Sequence, residues 1–343
     1  MPDDSADHRQ SRLFTTEDGD FDERRSREAA LPVEDGEVVD TDALDDHQEY
    51  VEGRGVYDAR NEVNDLTGRE WKFATKSVIP EAYPPALQHD LRSQHGGQKP
   101  PRLCLELVER FSRAGDLVLD PFAGVGGTLL GASLAEHEGT GLREALGFER
   151  NRRWIDVYEA VLERENAERR ARGAGELAPQ EMRHGDCTDL VAAVAEDAVD
   201  FLLTDVPYWK MDEVEQTRNE RETRESSLGR FDTGGDGADE GGDGDGDPDS
   251  KSAWLDAMER AFGRFRRAVK DDGYVAVFIG DMYRGQSYHL LSAELATRLT
   301  AAGYTLKADL IWYDPSKDLH VYGYPFAYVP SVVHQHVLVF RNE

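Results

Sequence analysis

Cysteine is nearly missing from this 343-residue chain: only Cys104 and Cys187 occur, with no CxxC pair. Two isolated thiols supply neither a disulfide framework nor a paired zinc site, which fits an intracellular setting. Long apolar runs are missing too. Nothing approaches the roughly 18 residues of a membrane span, and the polar start MPDDSADHRQ has no secretory pattern. The expectation is therefore a soluble, cytoplasmic protein with no membrane partner. Positive charge is scarce: 40 Lys and Arg stand against 69 Asp and Glu, a formal net charge of -29.

Such an excess of acid argues against binding nucleic acid through a broad basic surface. The acid is spread along the whole chain, however, and the bases are mostly Arg, a composition that resembles the protein surfaces of extreme halophiles. At high salt, counterion release contributes little to phosphate binding, and shape and base contacts carry more of the affinity. An acidic protein that never meets nucleic acid and a halophilic nucleic-acid enzyme both remain open on composition.

The length suffices for one large domain with appendages or two small domains, and only 39% of the residues are hydrophobic. Residues 1–60 are dense in Asp, Glu, Gly and Arg without apolar period and read as a mostly disordered acidic tail. A second such stretch, at about 212–250, contains GGDGADEGGDGDGDPD and reads as a looped-out insert. Residues 61–343, apart from that insert, alternate short apolar runs with helical patterns. This predicts an α/β protein with a mostly parallel sheet.

The predicted strands are DLVLD ending at Asp120, ALGFE at Glu149, a weaker one near His184, VDFLLTD at Asp205, YVAVFIGD at Asp281, LKADLIWYD and VVHQHVLVF. Helices are predicted over Thr128–Ala135, Asn151–Arg172, Ala253–Val269 and Ser292–Ala302. No helix separates the last two strands, so one of them is expected to run antiparallel and close the sheet edge. No internal repeat is present.

The sharpest motif is DPFAGVGGT, Asp120–Thr128, between a predicted strand and a helix. Its glycines let the turn approach a ligand closely, and open α/β sheets bind cofactors at such strand ends. It lacks the GK[ST] of a phosphate-binding loop and departs from GxGxxG, so neither nucleotide hydrolysis nor dinucleotide binding is supported. An acid at the strand end suits a cationic ligand, which makes Asp120 a candidate for an ammonium. Glu149, at the end of the next strand, is placed to accept ribose hydroxyls. For both acids a helix cap or solvated loop is the plainer alternative.

DPFAGVGGT resembles the DPFxGxGxT motif of the amino-group DNA methyltransferases, which modify N6 of adenine or N4 of cytosine. HGGQKPPRL, His95–Leu103, is similar to the HPTQKPxxL segment of that family, with Gly96 and Gly97 in place of Pro and Thr. TDVPYW, Thr204–Trp209, resembles the (D/N/S)PP(Y/F/W) catalytic motif, with Val206 in place of the first proline. Pro207 still biases residue 206 toward an extended backbone.

The resemblance implies a Rossmann-like, seven-stranded fold, mostly parallel with one antiparallel strand, that binds S-adenosyl-L-methionine. By it, Asp120, Pro121, Phe122, Gly124, Gly126, Thr128 and Glu149 form the cofactor site, Lys99 meets the methionine carboxylate, and Asp186 lies near the adenine. Asp205 and the carbonyl of Val206, set by Pro207, accept the hydrogens of the target amino group. Tyr208 and Trp209 stack on a base flipped out of DNA. An Asp in first position leans toward N6-adenine. A restriction partner is left open.

Carbon-5 cytosine methylation needs a nucleophilic cysteine, usually after proline; Cys104 and Cys187 have no such context and read as packing residues. His184, Asp186 and Cys187 make a weak metal cluster, and His334 and His336 read as sheet residues, so no metal is expected. Arg264, Arg266, Arg267 and Lys270 are expected on one predicted helix, as a solvated face. Three alternatives stay open: an RNA guanine-N2 methyltransferase, a protein glutamine methyltransferase, and a catalytically silent binding module, the last motivated by Val206.

Overall fold

The structure is a computed structural model that describes residues 38–209 and 250–343. The chain divides into two compact units between Lys76 and Ser77. In the first, β1 (Gln48–Val51) and β2 (Gly55–Asp58) form an antiparallel hairpin, followed by α1 (Gly68–Ala74). Thr67 caps α1 in a reciprocal capping box with Glu70, satisfying two helix-end donors at once. Glu70 also pairs with Arg54 at 2.8 Å.

Residues 38–60, expected in the acidic tail, thus carry ordered structure in part. Gly53 and Gly55 take positive φ at the hairpin turn, and Val56 is buried there. A few well-placed glycines and one apolar contact are invisible to a composition average. The tail up to residue 37 and most of the acidic insert, 212–249, lie outside the described residues.

The second unit is built on one eight-stranded sheet. Its elements, in order, are β3 (Val78–Ile79), α2 (His89–Arg92), α3 (Pro101–Phe111), β4 (Leu117–Asp120), α4 (Gly127–Leu134), β5 (Glu144–Glu149), α5 (Arg152–Ala171), β6 (Glu181–His184), α6 (Cys187–Leu190) and β7 (Val199–Asp205). Then come α7 (Lys251–Phe265), β8 (Val269–Ile279), β9 (Met282–Arg284), β10 (Ser287–His289), α8 (Leu291–Ala301), β11 (Tyr304–Tyr313) and β12 (His334–Asn342). The sheet order is β3-β11-β12-β8-β7-β4-β5-β6, while β9 and β10 form a separate hairpin.

Seven of these strands are the expected ones, and only β12 runs antiparallel to its neighbours. Two expectations are corrected. An eighth, two-residue strand, β3, pairs with β11 and forms that edge. The antiparallel strand therefore lies inside the sheet, between β8 and β11, because β12 returns beside β8 instead of outside β11.

The central strands are buried on both faces, so their side chains alternate between two cores. Leu202, Val275, Val277 and Ile279 join one with α7 and α8. Phe201, Leu203, Ala276 and Phe278 join the other with α3 and α4. This is why those strands read as continuous apolar runs. All eight residues of α4 are buried, and Gly131 lets it close on α3: an added Cβ would lie 2.8 Å from Leu105 N.

Helix α7 ends at Phe265, earlier than expected. Arg266 stands at its C-cap, Arg267 bonds to Glu196, and Lys270 lies on β8 paired with Asp200. The expected basic helix face is therefore corrected: of the four, only Arg264 lies on α7. No helix among the described residues is long and apolar enough to cross a membrane.

Candidate functional site

The strand order reverses between β4 and β7: β5 and β6 lie on one side, β8 and β12 on the other. Such switch points open a crevice at the strands' carboxyl ends. Asp120 ends β4 and Asp205 ends β7, so the two acidic turns flank it on neighbouring strands.

The turn after β4 is held from both ends. Asp120 is 4% exposed, and its Oδ1 accepts hydrogen bonds from Thr204 Oγ1 at 2.6 Å and Phe122 N at 3.1 Å. Burial pushes its carboxyl up to about 6, against the lowering effect of those donors, including Thr128. Gly124 and Gly126 both have positive φ, which a side chain resists. A Cβ on Gly126 would also run into the Tyr158 ring. Pro121 is buried, and Phe122 packs edge-on to Phe265 at 6.0 Å.

Glu149 reaches across from β5. Its Oε2 accepts from Gly124 N at 2.9 Å and its Oε1 from Asn151 N at 2.6 Å, and desolvation raises its carboxyl to about 7. Each oxygen keeps a lone pair for a further donor. Asp186 follows β6, where Gly185 N bonds to Glu149 O at 3.0 Å. Its Oδ1 caps α6, accepting from Thr188 N and Oγ1 at 2.8 and 2.7 Å. Asp186 thus performs the plain capping role, close to the strand that carries Glu149.

The segment before α3 folds over the glycine turn. His95 packs T-shaped on Trp154 at 4.9 Å, and a Cβ on Gly124 would lie 3.0 Å from its Nε2. Lys99 is 8% exposed, and its Nζ donates to Asp205 Oδ2. Lys99, expected at a cofactor carboxylate, instead stands on the expected catalytic one. Burial raises the Asp205 carboxyl while Lys99 lowers it. The other oxygen, Oδ1, is buried with no hydrogen-bond partner.

The turn after β7, expected to be catalytic, is fixed by groups that the motif does not contain. Val206 is 1% exposed. Trp254 Nε1 donates to Pro207 O at 2.8 Å, and Gln335 Nε2 donates to Tyr208 OH at 2.7 Å. Tyr208 packs against the core beside Gly280, where an added Cβ would lie 3.7 Å from the ring. Burial and the Asp205 carboxylate hold its hydroxyl well above the usual phenol range. Trp209 faces elsewhere, edge-on to His289 at 5.3 Å and under Arg284 at 5.5 Å.

Sequence reasoning missed Arg92, Trp254 and Gln335, which act only through the fold. Arg92 is buried, donates to Lys99 O at 2.9 Å and so anchors the segment that carries Lys99. Only Trp254 gave a signal, as an indole on an apolar helix face that must find an acceptor when buried. The two thiols are buried, each raised to about 12 by desolvation. No group of three or more metal-ligating side chains occurs among the described residues.

Residues 33–160 match the N6/N4 methylase family model, described as a DNA methylase. That segment holds the HGGQKPP stretch and DPFAGVGGT and ends before TDVPYW. No curated protein matches the sequence. Among solved structures, a provisionally named DNA modification methylase from Thermus thermophilus, complexed with S-adenosyl-L-methionine, is 18% identical over 46% of this chain and 51% of its own, with a TM-score of 0.30. TrmN from the same organism is 15% identical over 74% of this chain and 52% of its own, with a TM-score of 0.40. A SAM-dependent methyltransferase from Methanosarcina mazei is 11% identical over 68% and 96%, at 0.39. The chain spans about half the length of the two Thermus proteins.

Proposed function

We propose that this chain, which carries an N6/N4 DNA methylase segment, transfers a methyl group from S-adenosylmethionine to an exocyclic amino nitrogen of a DNA base, N6 of adenine in preference to N4 of cytosine. Residues 61–343, apart from the acidic insert, form the methyltransferase domain in this reading. One observation carries it: Asp205, which has a buried Oδ1 without a hydrogen-bond partner, ends the strand next to the one that Asp120 and the glycine turn follow.

The crevice residues fit such a donor. Asp120 and Glu149 offer carboxylate lone pairs for an ammonium and for ribose hydroxyls, and the positive-φ glycines keep the turn free of side chains. When bound, the donor supplies an electrophilic methyl group on a sulfonium sulfur.

An amine conjugated to a base is a poor nucleophile. In this reading Asp205 Oδ1 and the carbonyl of Val206 accept its two hydrogens and draw its lone pair out of conjugation. The new N–C bond forms from that lone pair, the C–S pair stays on sulfur, and the surplus proton passes from nitrogen to Asp205 and then to solvent. Positioning and electrostatics supply the acceleration. Tyr208 stacks on the flipped base, with Trp209 available at the end of the same turn.

The test is nucleoside mass spectrometry, with long-read sequencing, of DNA from cells expressing the chain. N6-methyladenine in one sequence context, lost in Asp205→Ala, is expected. N4-methylcytosine would keep the reaction and change the base, whereas methylation of RNA guanine alone would contradict the reading. The acidic composition supports a halophilic setting, so assays with purified protein belong at high salt.

A further inference from the structure

Resting on the transfer reading above, we infer that Lys99 is a positioning residue that acts through Asp205: it holds one carboxylate oxygen and presents the other to the target amine. Lys99 is buried, and its Nζ lies 5.3 Å from the Phe278 ring and 5.9 Å from the Tyr208 ring, with Asp205 Oδ2 as its hydrogen-bond acceptor. Its own main chain is held by Arg92. An ammonium between two rings and a carboxylate has little freedom to leave.

The consequence lies in the second oxygen. With Oδ2 committed to Lys99, the Asp205 carboxylate cannot rotate without breaking a buried charge-assisted bond, so Oδ1 keeps one orientation. Oδ1 is the buried atom without a partner, and leaving it so is costly unless a donor arrives. A base amino group is such a donor.

Lys99 has an electrostatic part as well. A protonated Asp205 would offer a hydrogen where the amine needs an acceptor. The groups around it are Asp120 from β4, Tyr208 from its own turn and Lys99, with Lys317 from the β11–β12 loop near Lys99. Burial disfavours the charged form; Lys99, the cation in contact, favours it most, and the Tyr208 hydroxyl adds to that.

Carbon-13 NMR of the full chain labelled at Asp carboxyls tests this, with the Asp205 signal assigned by its loss in Asp205→Asn. Lys99→Met should move the Asp205 titration up by about one pH unit or more, and Lys99→Arg by less. Affinity for S-adenosylmethionine should change less than about threefold, while kcat on DNA falls at least about tenfold and its acid limb moves up with the titration. An unmoved titration in folded Lys99→Met overturns the inference. So does a loss of cofactor binding of about tenfold with kcat unchanged at saturation, which would make Lys99 a cofactor ligand. A titration that moves in a chain methylating no DNA upholds the Lys99–Asp205 coupling and contradicts the transfer reading, so the two failures are told apart.

Discussion

Thr204 Oγ1 donates a 2.6 Å hydrogen bond to Asp120 Oδ1, and it does so across the two strands where the sheet order reverses. Both groups are buried, so the bond works in a low dielectric and holds the two turns at one depth. Thr204 thereby ties the turn assigned to the cofactor to the turn assigned to the base. Replacing it with Val removes the donor and nothing of similar volume. Cofactor affinity near neutral pH should fall by about threefold to tenfold, the range of one lost charge-assisted bond partly replaced by others, as read by isothermal calorimetry.

The pH dependence of cofactor binding follows from two raised carboxyls, Asp120 at about 6 and Glu149 at about 7. An ammonium and ribose hydroxyls both favour the ionised acids, so affinity should rise from pH 5 to about 7.5 and then level. Stability of the unliganded protein should run the other way. Between the ordinary carboxylate range and these raised values the folded state holds more protons than the unfolded one, so stability falls as pH rises through that window. Calorimetric titrations and thermal melts at matched salt check both signs.

At Gly126 the structure predicts a strong response to one methyl group. Its φ is +74° and a Cβ would run into the Tyr158 ring. Gly126→Ala should cost about 1–2 kcal/mol for the left-handed backbone alone, with the ring clash added, and should abolish cofactor binding. Chemical denaturation and equilibrium dialysis measure the two losses.

The motifs made the glycine turn, the catalytic turn and their strands legible because each pairs a local chain reversal with an apolar run. Helices α4, α5, α7 and α8 were legible from their apolar period. Helix α3 is masked in the sequence, although Leu103, Cys104, Leu107 and Val108 are buried on it and have helical spacing, because its start overlaps the HGGQKPPRL segment. Arg92, Trp254 and Gln335 could not be read, since their partners are Lys99 O, Pro207 O and Tyr208 OH, contacts made only by folding. The place of β12 inside the sheet was hidden too: a hairpin-like return fits either side of β11, and pairing with β8 decides it.

His336 sits between Asp309, 2.9 Å from its Nδ1, and Asp281, 3.6 Å from its Nε2. The two carboxylates raise the imidazole to about 9. Its stabilising contribution should therefore be complete below about pH 6.5 and be lost as pH rises through about 9. His336→Gln should flatten that part of the stability profile, as measured by denaturant unfolding from pH 6 to 10.

Trp254 offers a separate handle on the catalytic turn, through its indole bond to Pro207 O. Trp254→Phe keeps most of the apolar burial and removes the donor. It should lower kcat by about tenfold while leaving cofactor affinity within about twofold, because a loosened turn costs orientation and not donor binding.

The most direct test of the account is single-turnover transfer from radiolabelled S-adenosylmethionine to DNA, run beside equilibrium binding of the same donor, for the unmodified chain and Asp205→Ala. The account predicts donor binding in both and transfer in the unmodified chain alone. Transfer at an unchanged rate by Asp205→Ala, or an unmodified chain that never binds the donor, would contradict it.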